Sequence, residues 1–263
     1  MASANLSEPI TLGRVEQLAV KVYSNRKEMG RAAGLEAAER LRTLLASQSR
    51  VTVIFAAAPS QNEFLETLAA AQGIEWDRVT AMHMDEYVGL APDAPQRFGT
   101  YLKEHIFERV NPGQVYYLDG NAPDLEAECE RYSHVLRDNP VDVVCAGIGE
   151  NGHLAFNDPG VADFLDTALV KVVALDQTCR QQQVNDGCFR AISEVPTHAL
   201  TLTVPALMGG RWIYCMVPGP TKAEAIRLTL SGAITDRVPA SILRVHPRAV
   251  LYADRDSAAR RGS

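Results

Sequence analysis

Val-Asp-Val-Val-Cys-Ala, residues Val141–Ala146, runs without a break into Gly-Ile-Gly-Glu-Asn-Gly-His-Leu-Ala-Phe-Asn-Asp-Pro, residues Gly147–Pro159. A short apolar run that stops at glycines reads as a buried strand discharging into a tight turn. The same pattern recurs outward from this point. Val51–Ala57 (VTVIFAA) reads as a strand followed by a helix over Glu63–Ala71, and Val79–Met84 as a strand ending at Asp85. Arg97–Val110 carries Phe98, Tyr101, Leu102, His105, Ile106 and Phe107 at helical spacing. Further strands are expected at Val115–Leu118, Leu169–Leu175, Ala199–Val204, Arg211–Val217 and Ala249–Ala253, with helices near Asp124–Arg137 and Pro220–Leu230. Strands alternating with helices need crossover connections, so the expected fold is α/β, a mostly parallel sheet with helices on both faces. Ligands of such sheets bind beyond the carboxyl ends of the strands. That directs attention to residues 57–63, 84–89 and 146–159.

Composition narrows the classes. The 263 residues suffice for one large α/β domain, and no repeat, low-complexity tract or Gly/Ser linker divides residues 1–263. Hydrophobic residues make up 46% and charged residues 22%, values of an ordinary globular chain rather than a disordered one. The net charge of −6 argues against a nucleic-acid surface, although a local cluster of cations can still hold an anionic substrate. No apolar run reaches the roughly 18 residues of a membrane helix. The start, MASANLSEPI, lacks the basic and apolar regions of a secretion signal, so a cytoplasmic location is expected. Cys129, Cys145, Cys179, Cys188 and Cys215 are scattered, odd in number and without metal-ligand spacing, which reads as reduced thiols.

Four segments carry chemistry. In MDEYVGL (Met84–Leu90) two carboxylates end an apolar strand, and consecutive side chains there point to opposite sides. Asp85 can then face a cleft as a general base, its pKa raised by burial, while Glu86 supports it; a solvated loop start is the other reading. In Gly147–Pro159, Gly147, Gly149 and Gly152 let the backbone turn and approach a ligand. His153 follows; imidazole as a side-chain type exchanges protons near neutral pH, and Asp158 could fix its orientation, a pair suited to moving a proton at a sugar ring oxygen. A single hydrogen-bonded histidine in a glycine loop is the alternative. A metal held by His153, Asp85 and Asp158 finds no HxH or HExxH support, and none is expected. In AAAPSQNEF (Ala56–Phe64), Ser60-x-x-Glu63 matches a capping box, and the free N–H groups near Ser60 and Gln61 could receive a phosphate. In VPGPTKAEAIRLTL (Val217–Leu230), Lys222 falls in a first helical turn, where a cation is disfavoured unless an anion shares the site. Lys222 is therefore a phosphate-ligand candidate as well as a surface lysine. Arg180, in DQTCRQQQ, is a second candidate that nothing local distinguishes from a solvated arginine.

Taken together, MDEYVGL, RFGTYL, LDGNAPD, GIGENGHLAFNDP, VPTHALTLTVPALM, PGPTKA and LRVHP stand in the order of the glucosamine-6-phosphate deaminase family, which this chain resembles from about residue 14 to residue 254. The resemblance implies a modified Rossmann-like domain without redox cofactor or required metal. It implies a hydrolase and isomerase of amino-sugar metabolism, converting glucosamine 6-phosphate and water to fructose 6-phosphate and ammonia. On that resemblance Asp85 moves a proton between carbons 2 and 1 through an enolamine, His153 opens the pyranose ring with Asp158 behind it, and Arg180 and Lys222 hold the phosphate. Asn151 stands where many members have an acid and others an asparagine. An amide cannot relay a proton, so His153 and Asp158 would do more of the ring opening. The family's Gly/Thr-rich phosphate loop is replaced here by AAAPSQNEF, which leaves open a related amino-sugar phosphate as substrate.

Two competing readings remain. A 6-phosphogluconolactonase shares the superfamily, but its histidine segment typically runs on as HTASLFP, against HLAFNDP here. A sugar-phosphate-sensing domain would bind without turnover; related regulators carry an N-terminal helix-turn-helix, and only about a dozen residues are expected before the first helix here. The oligomeric state is left open, a homo-oligomer included.

Overall fold

The computed structural model describes residues 8–260, so residues 1–7 of the MASANLSEPI start lie outside the described part. The strands are β1 (Thr11–Val15), β2 (Leu18–Tyr23), β3 (Val51–Phe55), β4 (Val79–His83), β5 (Asp85–Tyr87), β6 (Gln114–Tyr116), β7 (Val143–Ala146), β8 (Val170–Ala174), β9 (His198–Leu202), β10 (Trp212–Val217) and β11 (Ala249–Asp254). The helices are α1 (Arg26–Leu45), α2 (Asn62–Ala70), α3 (Phe98–Leu102), α4 (Glu108–Val110), α5 (Leu125–Asp138), α6 (Gln177–Asn185), α7 (Val204–Met208) and α8 (Ala223–Leu230), with a π-helical stretch Lys103–Phe107 joining α3 to α4. Eight strands form one sheet in the order β1-β2-β11-β10-β7-β3-β4-β6, and every neighbouring pair is parallel except β1 with β2.

The central strands are buried on both faces, as a parallel sheet requires. Their side chains alternate between two cores. Val51, Val53 and Phe55 of β3, Val143 and Cys145 of β7, and Tyr214 and Met216 of β10 meet Met29, Ala33 and Leu41 of α1 and Phe64, Leu65 and Leu68 of α2. Ile54, Val144, Ala146, Ile213 and Cys215 point the other way, to Tyr132 and Leu136 of α5, Leu207 of α7 and Ile226 of α8. Each fully buried aliphatic or aromatic side chain contributes about 1.5–3 kcal/mol, so both layers are needed to hold the sheet.

From β3 the chain steps outward through β4 to β6, then returns to place β7 on the other side of β3 and continues to β10 and β11. The loops after β3 and β7 therefore diverge and leave a crevice between their carboxyl ends. Both loops, and the ends of β4 and β10, lie on this edge because all four strands run parallel.

The structure departs from the sequence reading in several elements. Val79–Met84 is not one strand running to Asp85: β4 stops at His83, and Asp85 opens β5 in a separate sheet ordered β5-β9-β8. The expected strands Leu169–Leu175 and Ala199–Val204 become β8 and β9 of that antiparallel sheet. Apolar runs identify strands but not their partners. Residues 11–23 form a hairpin rather than leading straight into a helix, and the first helix begins at Arg26, capped by Asn25 Oδ1 accepting from Glu28 N at 2.9 Å. The hairpin turn, Glu16-Gln17, has no glycine or asparagine to announce it, although Glu16 adopts φ 51°. The Ser60 capping box does not form. Pro59–Gln61 is a 3-10 turn without a side-chain cap, and Glu63 instead pairs with Arg26 at 2.6 Å.

Helix α1 lies directly against α2 at Gly30 and Gly34. A Cβ on Gly30 would sit 2.5 Å from Glu63 Cβ and 2.9 Å from Phe64 N. Gly30→Ala gains about 1 kcal/mol of helix propensity but forces the helices apart at about 1–3 kcal/mol. Thermal denaturation is expected to show a Tm lowered by a few degrees, and an unchanged or higher Tm would remove the close contact from the account.

Candidate active site

The crevice between β3 and β7 opens into a cavity whose wall includes Ser60, Gln61, Asp85, Gly149, His153 and Lys222. They come from four turns at the carboxyl edge, those that follow β3, β4, β7 and β10. Asp85 is delivered by the break between β4 and β5. His83 makes this break: its buried ring contacts Asp85 O through Nδ1 at 2.8 Å and accepts from Leu118 N through Nε2 at 2.9 Å. With Nε2 accepting, the proton resides on Nδ1, which donates to the Asp85 carbonyl. Burial pushes the His83 pKa down to about 4, so the ring stays neutral in this role.

Alternation in β5 then turns Asp85 and Glu86 apart. The Asp85 carboxylate is 8% exposed, and its Oδ1 is buried without a hydrogen-bond partner. Burial, and secondarily the neighbouring Glu86, push its pKa well above the usual carboxylate value. Glu86 faces away from this cavity. It accepts from Tyr87 N (2.9 Å), Phe98 N (3.1 Å) and Gly99 N (3.0 Å) and lies 3.9 Å from Arg97. A carboxylate at the start of α3 satisfies N–H groups that the helix leaves open, so Glu86 anchors β5 rather than lining the site.

The loop after β7 is shaped around His153. Gly149 N donates to His153 O at 3.0 Å, Gly152 turns at φ 87°, and His153 N donates to Asn151 Oδ1 at 3.1 Å. Asn151 Nδ2 in turn donates to Asp158 Oδ1 at 2.8 Å, so the amide joins the histidine backbone to the aspartate. His153 Nδ1 lies 2.9 Å from Asp158 Oδ1, close but off the hydrogen-bond axis, which leaves Nδ1 without an aligned partner. Burial alone would raise the Asp158 pKa; His153, then Asn151 and the Cys179 thiol, outweigh it and bring the pKa down. Asp158 is therefore an anion beside the imidazole, placed to orient the ring.

Lys222 closes the 3-10 turn Pro220–Lys222 that precedes α8. Gly219, at φ 93°, makes the turn, and its N–H is held by both oxygens of buried Asp254 at 3.2 and 3.1 Å. Lys222 is 5% exposed and forms no ion pair within 4.0 Å among the described residues. Burial lowers its pKa, opposed by the more distant Asp186 and Glu150. An unpaired buried ammonium at a cavity wall is a receptor for an anion. Gln61 adds an amide whose Nε2 donates to Met216 O (3.3 Å) and whose Oε1 has no partner.

Arg180 is not among the residues lining the cavity. Its Nη2 donates to Ile192 O (2.7 Å) and Val195 O (2.8 Å), tying α6 to the following turn. The same helix instead supplies Gln182 and Gln183, with Asp186 just beyond its end, none of which the sequence singled out. Gln182 Oε1 accepts from Glu150 N at 2.8 Å and so also braces the glycine loop. The legible signal was Asp176, which caps α6 through Cys179 N at 2.6 Å. Among the described residues, the metal-capable donors His153, Asp158 and Cys179 form one cluster, all buried.

Gly149 packs flat on the imidazole: a Cβ there would lie 2.2 Å from His153 Cε1 and Nε2. Gly149→Ala is expected to displace the ring and abolish sugar-phosphate turnover with little change in circular dichroism. Turnover retained in that variant would mean His153 is not needed where the structure puts it.

Known proteins resemble this chain in sequence and in fold. The sequence pattern of the family described as glucosamine-6-phosphate isomerases/6-phosphogluconolactonase matches residues 24–252. A glucosamine-6-phosphate deaminase of Lactobacillus delbrueckii subsp. bulgaricus is 35% identical over 207 residues, 79% of this chain and 86% of the relative. One from Listeria monocytogenes is 33% identical over 212 residues, 81% of this chain and 88% of the relative. The solved structure of a monomeric glucosamine-6-phosphate deaminase superposes with a TM-score of 0.84 at 28% identity, covering 92% of this chain and 99% of that one. A 6-phosphogluconolactonase from Shewanella baltica shares the fold at a TM-score of 0.75 and 17% identity, over 92% of this chain and 100% of that one. With the pattern spanning most of its length and relatives above 30% identity, this chain belongs to the glucosamine-6-phosphate isomerase/6-phosphogluconolactonase family.

Proposed function

We propose that this chain isomerises and deaminates glucosamine 6-phosphate, giving fructose 6-phosphate and ammonia. The observation that supports this most is that a partnerless carboxylate, Asp85, and an imidazole backed by a carboxylate, His153 with Asp158, line one cavity together with an unpaired lysine. His153 moves the proton that opens the pyranose, exposing the aldehyde at carbon 1. Asp85 removes the proton from carbon 2 and returns it to carbon 1 through an enolamine, leaving an imine at carbon 2. Water adds to the imine carbon and the carbon–nitrogen bond breaks, releasing ammonia. Water enters only in this last step, so the hydrolytic part follows an isomerisation of the carbon skeleton. Lys222, with Ser60 and Gln61 lining the same cavity, receives the phosphate; Arg180 is the second phosphate candidate, tied through Nη2 to the Ile192 and Val195 carbonyls while its buried Nε has no partner.

A base that works on a weakly acidic carbon benefits from a raised pKa, and burial without a partner supplies this at Asp85. Residues 1–263 act as one catalytic unit. Five free cysteines, four of them buried, fit a reducing cytoplasmic setting. No described helix is long and apolar enough to cross a membrane.

Asp85→Asn is expected to lower turnover by about a hundred- to ten-thousand-fold while sugar-phosphate affinity changes little. Ammonia release near the wild-type rate would remove Asp85 from the chemistry. The same substitution should stabilise the fold. A carboxyl whose folded pKa is raised binds its proton more tightly when folded, so wild-type stability falls as pH rises above about 4, the unfolded value, toward the folded pKa. The gain in Tm of Asp85→Asn over wild type should therefore grow with pH across that window; a pH-independent difference would contradict the buried, unpaired carboxylate. Lys222→Ala should raise KM about ten- to hundred-fold with a smaller effect on kcat, the loss of one charge-assisted contact. An unchanged KM would place the phosphate elsewhere.

A further inference from the structure

The His153–Asp158 pair has a third neighbour that the proposed reaction does not use. Asp176 caps α6 by accepting from Cys179 N, and this fixes the first helical turn so that the Cys179 side chain, 1% exposed, faces the glycine-loop pair. One ligand atom from each of His153, Asp158 and Cys179 lies within 4.8 Å of the other two. A divalent ion with bonds of about 2.0–2.3 Å to nitrogen, oxygen and sulfur places neighbouring donors about 3–4 Å apart, so the set closes with small side-chain shifts. None of the five cysteines has metal-ligand spacing in the sequence; this cluster is assembled by the packing of α6 against the loop after β7.

Two donors in the cluster are incompletely satisfied. Asp158 is 0% exposed, and its Oδ2 accepts no hydrogen bond. His153 Nδ1 is buried and lacks an aligned partner. Buried acceptors of this kind are uncommon because each forgoes its solvation without replacement. A cation bound between Asp158, His153 and Cys179 would complete the first two and replace the hydrogen bond of the Cys179 thiol to Asp158, and the catalytic cavity, which His153 lines, gives it an entrance.

We propose that His153, Asp158 and Cys179 form an inhibitory binding site for a thiophilic divalent cation of the Zn2+ class, built into the ring-opening apparatus. Binding converts the Cys179 thiol to a thiolate and releases that proton to solvent, while bonds form from sulfur, the Asp158 oxygen and the imidazole nitrogen to the metal. No electron is transferred. Sulfur, imidazole and carboxylate together select zinc-like ions over magnesium or calcium. The bound ion ties up the imidazole lone pair beside Asp158 and separates the two groups that act on the sugar ring. Metal binding stands on the donor geometry alone; the inhibition rests on the proposed role of His153.

The test uses the full chain stripped of metal with a chelator, then titrated with CoCl2 for absorption and with ZnCl2 for ammonia release. Wild type is expected to take up one Co2+ with a thiolate-to-cobalt charge-transfer band and to lose turnover as Zn2+ binds. Cys179→Ser should abolish the band and raise the Zn2+ concentration for half-inhibition by about 100-fold. Cys179→Ala, checked for folding by circular dichroism, should behave alike, and Cys188→Ser should keep both responses. A wild type without the band, or a band and Zn2+ sensitivity unchanged in both Cys179 variants, overturns the site. A Cys179-dependent band without inhibition supports the site and counts instead against His153 as the ring-opening group.

Discussion

The site depends on one topological constraint: β3 is parallel to both β4 and β7, yet the chain leaves β3 on one side and returns on the other. Because the strands are parallel, their carboxyl ends share an edge. Because the connections diverge, no crossover covers the gap between the β3 and β7 loops. The polar groups of the cavity are carried to that gap by the turns following these strands and β10, or by α6 and the residues just after it. The rigidity comes from the two cores, whose residues alternate along β3, β7 and β10 with the period of a strand.

Within that frame the chain gives up stability at particular places. Asp85 is buried with an oxygen that nothing satisfies, Lys222 is buried without an ion pair, and Gln61 presents an unpartnered amide oxygen. Each would be stabilised by an apolar replacement of similar shape, and they converge on one cavity. Around them the supporting groups are fully bonded. His83 uses both ring nitrogens to bend the chain at Asp85, Glu86 accepts three backbone N–H groups, and Asp254 holds the Gly219 turn beneath Lys222. Satisfied neighbours keep the unsatisfied ones in place, which is how a preorganised site is held by a protein of marginal stability.

The Asn151 position illustrates how a substitution is absorbed. A carboxylate there would set a second anion against Asp158. The amide instead donates to Asp158 and accepts from the His153 backbone, so it organises the pair without adding charge. His153 and Asp158 are also the two groups that share the buried cluster with Cys179.

Much of this was legible in the residues. Continuous apolar runs such as Val51–Phe55 and Val143–Ala146 required strands buried on both faces, and the alternation in Asp85-Glu86 required one carboxylate to turn away from the other. Glycines at 147, 149 and 152 announced a loop that approaches something closely; the structure identifies that something, for Gly149, as the imidazole itself. What local sequence could not decide is partnership across the chain. β8 and β9 read as apolar strands wherever they pair, Arg180 reads as a free cation until the carbonyls of Ile192 and Val195 meet it, and the hairpin turn at Glu16 is held by a residue type that does not favour positive φ. Periodicity is a local property and fixed the elements; which sheet a strand joins, and which side chains face one cavity, depend on long-range packing that only the folded molecule resolves.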